Sequence, residues 1–264
     1  MKPAPADIDP LPHRWQNLLP LTGLKTGQVL TVCLLAHHRA PPRPGRPWGL
    51  PLPVRVLLVL IHLRTNLTTR ALAALFGTSQ SAVDRIIHHL IPVLANALRP
   101  SQDHDSTHPW IIDGTLIPVH DHSITAISKN YRRSVNTQII ICAHRCSVIV
   151  AGQCWPGNRN DVIVARHTVA HLLTSHHQIL GDGGYRGITS INTPRRDRTG
   201  RIIRDDHYRA HRRIRARVEH VIARLKDWQI LRQCRRRGDA INHSLQIIAG
   251  LWNLNTHTQL RVTS

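Results

Sequence analysis

Three carboxylates occupy positions where acidic side chains could do chemistry. Asp113 ends the apolar run 110–112 and precedes Gly114, Asp182 ends a second short apolar run and precedes two glycines, and Glu219 is the sole glutamate. Acids at strand ends beside small residues leave room for a metal ion and a phosphate. Three such carboxylates can hold two divalent ions about 3.5–4 Å apart, the arrangement that polymerases and nucleases use at phosphorus. We therefore predict that these acids bind Mg²⁺, which prefers oxygen ligands, and are the catalytic residues.

Two cations accompany Glu219 on a predicted helix over residues 212–232. Apolar residues recur there with helical period, and steps of four and seven place Arg215, Glu219 and Lys226 on one stripe. We expect both cations to hold phosphate beside the carboxylate. Plainer interpretations remain open: an acid before glycine is common in turns, and Glu219 can pair with Arg215 on a helix surface.

The elements around these acids predict an α/β domain with a mixed sheet and flanking helices. Short apolar runs between turn residues predict strands, and longer amphipathic runs predict helices. The predicted strands cover residues 110–115, 138–143, 147–152 and 178–181, and the predicted helices cover 161–174, 212–232 and 240–254, with an Arg-rich loop over 186–211.

An all-α helix-turn-helix domain is predicted upstream, over residues 54–100. A capped helix over 68–77 ends at a glycine, and a second helix over 82–90 follows a tight turn. The second helix of such a motif lies in the major groove of DNA. The residues at its start that would contact base edges or phosphates are Gln80, Ser81 and Arg85.

The charge of the chain favours nucleic acid as a partner. Lys and Arg total 35 against 15 Asp and Glu, and the formal net charge is +20. Such a charge destabilises a compact state unless a polyanion relieves it. Most of the cations are Arg, which contacts phosphate and guanine bidentately, although a GC-rich genome produces the same bias. Charge alone also leaves a membrane surface or an RNA as alternatives.

Other features predict an intracellular protein. Five cysteines without a CxxC pair indicate reduced thiols, and the longest apolar run, 54–63, is too short to span a bilayer. No signal peptide is apparent. We therefore expect a cytoplasmic, nucleoid-associated protein with no membrane partner. Residues 1–53 are predicted as an N-terminal arm and linker with one helix, and residues 101–264 as the α/β domain.

Four motifs in order resemble the DDE-superfamily transposases of bacterial insertion sequences, close to the Harbinger-like endonuclease branch. The motifs are Ile112-Asp113-Gly114-Thr115 with Pro118-Val119, Pro156-Gly157-Asn158-Arg159-Asn160-Asp161, Leu180-Gly181-Asp182-Gly183-Gly184-Tyr185, and the Arg215, Glu219 and Lys226 stripe. The helix-turn-helix also matches that layout, and the resemblance covers roughly residues 50–255. One departure is Arg212, which stands where related insertion-sequence enzymes have Tyr.

The resemblance implies an RNase H-like catalytic fold with Asp113, Asp182 and Glu219 as the triad. Asp161 is a rival for the second position. We favour Asp182, because the end of a strand adjoining the first strand brings its carboxylate close to Asp113. Asp161 would then open a helix as a capping acid.

The same resemblance implies an activity and its partners. Two Mg²⁺ or Mn²⁺ ions would serve the cleavage of a DNA strand at the element end, and the released 3′-hydroxyl would attack target DNA. We expect more than one copy of the chain in the active complex, and the ten arginines of residues 195–217 would follow the DNA backbone. One alternative is a catalytically inactive DNA-binding protein, either a repressor or a decayed transposase copy. Another is a His-rich metal-binding protein, although the 20 histidines lack metal-ligand spacing.

Overall fold

The computed structural model describes residues 11–40, 45, 47–100, 107–128, 132–173 and 178–260. Most of the predicted N-terminal arm and part of the predicted linker therefore lie outside the described residues. The chain divides into two compact units. The helical unit contains the described residues up to Arg99 together with 228–230, and the sheet unit contains those from Pro100 to Asp227 and from Leu231 onward.

The helical unit is organised around one buried helix. Its helices are α1 (His13–Gln16), α2 (Thr26–Arg39), α3 (Leu52–Thr65), α4 (Thr69–Phe76) and α5 (Gln80–Ala97). Every side chain of α3 from Val56 to Leu63 is buried. A helix that is apolar on all sides is stable only when other elements surround it. Here α2, α4 and α5 all pack against α3.

The predicted helix-turn-helix is present as α4 and α5. The hydroxyls of Thr68 and Ser79 cap the starts of the two helices by accepting hydrogen bonds from backbone N–H groups three residues on. Gly77 ends α4 in the left-handed conformation, with φ at +61°, where glycine avoids the strain of a Cβ atom. α5 continues to Ala97, beyond the predicted end at Leu90.

The sheet unit contains a mixed sheet, as predicted. The strands are β1 (Trp110–Pro118), β2 (Ala126–Ile127), β3 (Arg133–Cys142), β4 (Val148–Ala151), β5 (Trp155–Pro156), β6 (Ile179–Leu180) and β7 (Ile191–Asn192). β3 is antiparallel to β1, β2, β4 and β5, whereas β6 is parallel to β1 and to β7. The order across the sheet is β2-β3-β1-β6-β7, which places β1 at the centre.

Helices lie on the faces of this sheet. They are α6 (Asp161–Thr168), α7 (Ala170–Leu173), α8 (Asp206–Leu225) and α9 (Ala240–Leu260). On one face, Trp110, Ile112 and Ile140 form an apolar cluster with Ala165 of α6 and Leu173 of α7. Side chains alternate along a strand. The alternate residues of β1 and β3 accordingly lie against α8 and α9 on the other face.

Several predicted boundaries in the sheet unit are wrong. β1 continues to Pro118, so that Asp113 lies within the strand and not at its end, and α9 continues to Leu260. The helix predicted over 212–232 is α8, which begins at Asp206 and ends at Leu225, because Asp205 caps it by accepting the N–H of Tyr208. About half of the Arg-rich segment 195–217 is therefore helical. The single helix predicted over 161–174 is divided into α6 and α7. β3 begins five residues before its predicted start, because it also contains buried polar side chains that the search for apolar runs did not include.

Two general expectations can be compared with the structure. All five cysteines are free thiols. Along the described residues, no helix combines the length and apolar character that crossing a bilayer requires.

Candidate active site

Asp113 lies in β1 on the sheet face that α8 covers. Its neighbour Gly114 faces the opposite side, as alternation along a strand requires. The Asp113 side chain is only 20% exposed. Burial raises the pKa of this carboxyl to about 6; Arg215 lowers it, and the negative charges of Asp182 and Asp161 raise it. Asp113 is therefore electrostatically coupled to both candidates for the second acid.

Arg215 connects Asp113 to Glu219. Its Nη2 atom lies 3.8 Å from Oδ2 of Asp113 and 3.6 Å from Oε1 of Glu219. The Arg215 side chain is 16% exposed, whereas that of Glu219 is 61% exposed. Nε of Arg215 is buried and has no hydrogen-bond partner among the described residues. Two of the three predicted acids therefore meet at one guanidinium nitrogen, which supplies the positive charge between them.

Asp182 lies two residues after the end of β6. Its Oδ1 accepts a backbone N–H within the short turn 183–185, which it caps. β6 runs parallel to β1, and Asp182 stands two residues beyond the last paired residue of β6, as Asp113 does in β1. Of the two acids that raise the pKa of Asp113, Asp182 has the larger effect and Asp161 the smaller. Strand register thus places Asp182 level with Asp113.

Asp161 opens α6 and is held by β3. Its Oδ1 accepts hydrogen bonds from Nδ2 of Asn136, at 2.8 Å, and from Nε2 of Gln138, at 3.3 Å. The N-cap residue of α6 is Asn160. The capping role expected for Asp161 is therefore replaced by contacts with the sheet, on the opposite face from the side chain of Asp113.

A cavity of about 600 Å³ lies beside two of these four acids. Asp161 and Asp182 line it, together with residues 114–116 of β1 and the loop 157–160. Asp113 directly precedes the β1 residues of this lining. The cavity therefore lies beside the middle of β1, the segment that follows β6 and the start of α6.

The donor atoms at this place suit a hard divalent cation. They are carboxylate oxygens, the ligands that Mg²⁺ and Mn²⁺ take in proteins. The like charges that raise the pKa of Asp113 also represent a repulsion that a bound cation would relieve. Within the part of the chain that the structure describes, no three His, Cys, Asp or Glu side chains form a ready-made cation site. The acids therefore offer the type of donor atom that such an ion takes, but their side chains are not already arranged as a complete set of ligands.

Lys226 lies at a second cavity, separate from Glu219. It caps the C-terminal end of α8 and lines a space of about 740 Å³ with Arg132 and Arg232. Burial lowers the pKa of Lys226, and the positive charge of Arg232 lowers it further. The three residues of the predicted stripe therefore lie at two different places. Arg215 and Glu219 lie near Asp113, whereas Lys226 lines a cavity with other cations.

The predicted DNA contacts of the helical unit are all exposed. Gln80 is the first residue of α5, and Ser81 and Arg85 follow within its first two turns. Nε of Arg85 donates to the backbone oxygen of Ser81 at 3.3 Å. These side chains are available to a partner at the start of the second helix of the motif.

Sequence reasoning missed the polar residues that hold Asp161. Asn136 and Gln138 lie in β3 with 4% and 0% of their surface exposed. The hydroxyl of Tyr185 donates to Gln138, and Tyr185 was noted in the sequence only as part of a motif. The signal that could have identified them is the polar run 136–138 directly before three isoleucines, which is unusual in a buried strand.

Comparison with known proteins agrees with this division of the chain. Residues 48–100 match the helix-turn-helix of DDE superfamily endonuclease, and residues 112–253 match the DDE superfamily endonuclease family. The first match spans α3, α4 and α5, and the second runs from β1 into α9 and includes the sheet that carries the acids.

Two curated relatives resemble most of the chain. One is a putative transposase for insertion sequence element IS112 from Streptomyces albus G, 44% identical over 243 residues, covering 90% of this chain and 94% of that protein. The other is a probable transposase for insertion sequence element IS702 from Microchaete diplosiphon, 25% identical over 238 residues, covering 83% and 86%. By its sequence motifs, its two units and these matches, the chain belongs to the DDE superfamily of endonucleases and transposases.

Proposed function

We propose that this protein is a transposase that binds the DNA ends of its element, hydrolyses a phosphodiester bond there and transfers the strand, with Asp113, Asp182 and Glu219 as its catalytic acids. The observation that carries the proposal is that Asp113 and Glu219 both approach one nitrogen of Arg215, while Asp182 raises the pKa of Asp113. Asp113 thus interacts electrostatically with Asp182, and it shares the Arg215 guanidinium with Glu219.

Each acid has a distinct part in this proposal. Asp113, within β1, and Asp182, just beyond the end of the adjacent parallel strand β6, would ligate Mg²⁺ or Mn²⁺, and Glu219 would complete the set from α8. When bound, two such ions would polarise the scissile phosphate and make an attacking water more acidic. Glu219 is the most exposed of the three, so it faces the side from which DNA can approach.

Arg215 has two tasks in the proposed site. Its guanidinium reduces the cost of ionising the buried Asp113, and, as the sequence predicted, it would help to hold a DNA phosphate beside Glu219.

Two further surfaces support the proposal that DNA is the substrate. The exposed start of α5, with Gln80, Ser81 and Arg85, fits the part of a helix-turn-helix that enters the major groove. The cavity lined by Lys226, Arg132 and Arg232 concentrates positive charge that a DNA backbone would neutralise.

Hydrolysis would leave a 3′-hydroxyl, which attacks target DNA in the second step. We propose that two or more copies of the chain hold the element ends together.

The decisive experiment is cleavage of duplex DNA that carries the ends of the element. The wild-type protein and Glu219→Gln are incubated with this DNA in Mg²⁺ and in EDTA, and both binding and strand cleavage are measured. We expect cleavage by the wild type in Mg²⁺ only, and unchanged binding without cleavage by Glu219→Gln. Asp206→Asn is the matched control, because Asp206 is on the same helix with 94% of its side chain exposed.

Two outcomes would contradict the proposal. Cleavage by Glu219→Gln at the wild-type rate would remove Glu219 from the catalytic set. Specific binding by the wild type without cleavage in Mg²⁺ or Mn²⁺ would favour the catalytically inactive DNA-binding protein instead.

A further inference from the structure

A buried chain of hydrogen bonds connects Tyr185 to Asp161. The Tyr185 hydroxyl donates to Oε1 of Gln138, and Nε2 of Gln138 donates to Oδ1 of Asp161 at 3.3 Å. Tyr185 and Gln138 are both 0% exposed. Water therefore does not compete for these bonds, and the three side chains hold one another in fixed positions.

Asn136 completes this network and fixes its direction. Nδ2 of Asn136 donates to Oδ1 of Asp161 at 2.8 Å and to the backbone oxygen of Arg159 at 3.0 Å. Oδ1 of Asn136 accepts from Nε2 of Gln138 at 3.3 Å. With the amide oxygens already accepting, both amides present N–H groups to Asp161, and an ionised carboxylate is the acceptor that suits such donors.

Gly114 provides the space that Asp161 occupies. A Cβ atom at position 114 would lie 2.0 Å from Oδ1 of Asp161, far inside van der Waals contact. Any side chain at Gly114 would therefore displace the Asp161 carboxylate. Gly114 directly follows Asp113, so this clearance brings Asp161 against the backbone beside the first proposed catalytic acid.

Resting on the function proposed above, we propose that Tyr185 is a positioning residue which, through Gln138, holds Asp161 as a fourth carboxylate of the nuclease site. Tyr185 ends the turn that Asp182 begins. The network therefore links the segment carrying Asp182 to the helix carrying Asp161, and both aspartates line one cavity. A purely structural tyrosine needs burial and a hydrogen-bond partner, but it does not need a donor chain that ends on a carboxylate in this cavity.

The proposal is tested by the affinity of the full chain for Mn²⁺ without DNA, measured from the electron paramagnetic resonance signal of free Mn²⁺. Tyr185→Phe removes the hydroxyl and keeps the ring, and Asp161→Asn removes the charge and keeps the shape. We expect each to weaken Mn²⁺ binding about tenfold, as loss of outer-shell partners commonly does. The double variant should lose no more than either single variant, since both changes act through one carboxylate.

A third variant reaches Asp161 from the opposite direction. Gly114→Ala should displace the carboxylate and weaken Mn²⁺ binding by a similar factor. Gly27→Ala is its matched control, because nothing lies within 4 Å of a Cβ atom there, and Tyr208→Phe is the control for the tyrosine. Thermal unfolding in EDTA is recorded for every variant, so that a loss of stability is separated from a loss of ion affinity.

The outcomes distinguish this proposal from the one on which it rests. Wild-type Mn²⁺ affinity in Tyr185→Phe, Asp161→Asn and Gly114→Ala, with weakened binding only in Asp113→Asn, would overturn the fourth carboxylate and leave the proposed nuclease intact. Additive losses in the double variant would overturn the positioning role of Tyr185. A wild-type protein that neither binds Mn²⁺ nor cuts element-end DNA would overturn both proposals.

Discussion

Arg215 and Asp113 form a shielded ion pair in which Nη2 lies 3.8 Å from Oδ2 and the two side chains are 16% and 20% exposed. That separation is too long for a hydrogen bond, so the attraction is electrostatic. It does not outweigh the cost of burial, and the pKa of Asp113 remains raised to about 6. The protein thus keeps a carboxylate that is costly to ionise at the centre of its candidate active site, as functional sites often do.

The raised pKa of Asp113 predicts a pH-dependent stability. The folded state binds this proton more tightly than the unfolded state, so the favourable contribution is complete below about pH 3.8 and is lost as pH rises through 6. This difference in pKa between the folded and unfolded states corresponds to roughly 2–3 kcal/mol in the free energy of unfolding. Asp113→Asn should therefore gain stability relative to the wild type between pH 4 and pH 8, as measured by urea unfolding in EDTA. If the free energy of unfolding of Asp113→Asn differed from that of the wild type by the same amount at pH 4 and at pH 8, ionisation of Asp113 would carry no cost in the folded state.

Arg215→Ala should destabilise the protein more at pH 8 than at pH 5. Without the guanidinium, an ionised Asp113 is left with like charges and little water, at an expected cost of roughly 1–3 kcal/mol for a partly buried pair. At pH 5 most of Asp113 is protonated, so the cost should be smaller. Arg224→Ala is the control, because Arg224 is 71% exposed and pairs with Asp227 at the surface, where such a pair contributes about 0.5 kcal/mol. A loss independent of pH would assign Arg215 a packing role only.

Arg85→Ala should weaken DNA binding while leaving the fold intact. Arg85 is exposed at the start of α5, so its removal opens no cavity. We expect about a tenfold loss of affinity for element-end DNA, which a charge-assisted contact in the groove can account for. Fluorescence anisotropy over a range of salt concentrations would measure it. Arg99→Ala, also exposed but beyond the end of α5, should bind like the wild type. Equal affinity of Arg85→Ala and the wild type would remove this residue from the DNA interface.

Lys226→Ala should reduce the salt dependence of DNA binding. Lys226 is partly buried beside Arg232 in a cationic cavity, and each phosphate contact contributes roughly one unit to the slope of log affinity against log salt. The change should be similar for specific and unrelated sequences, because a phosphate carries no base identity. Arg224→Ala again serves as the surface control. A slope identical to that of the wild type would mean that this cavity does not receive the DNA backbone.

Much of the local structure follows from residues that are close together in the chain. Thr68 specifies where α4 begins, Gly77 where it ends and Ser79 where α5 begins, since caps and left-handed glycines act within one turn. Apolar runs located the strands that carry Asp113 and precede Asp182. By contrast, the start of α8 was missed because its cap, Asp205, lies within an Arg-rich segment that otherwise resembles a loop.

The sequence by itself predicted a helix-turn-helix followed by a mixed α/β sheet, the main strands and helices of that sheet, and the acids worth testing, because those follow from composition, period and motifs over short distances. The short strands β2, β5 and β7 and the division of α6 from α7 were not predicted. Only the tertiary structure decided that Asp113 and Glu219 share Arg215, that Lys226 serves a different cavity, and that Asp161 is held by Asn136 and Gln138 on the other face of the sheet. Those relationships depend on strand register and helix packing between distant segments. A shift of the strand register by one residue moves a side chain to the opposite face of the sheet. No pattern among neighbouring residues specifies which register these strands adopt.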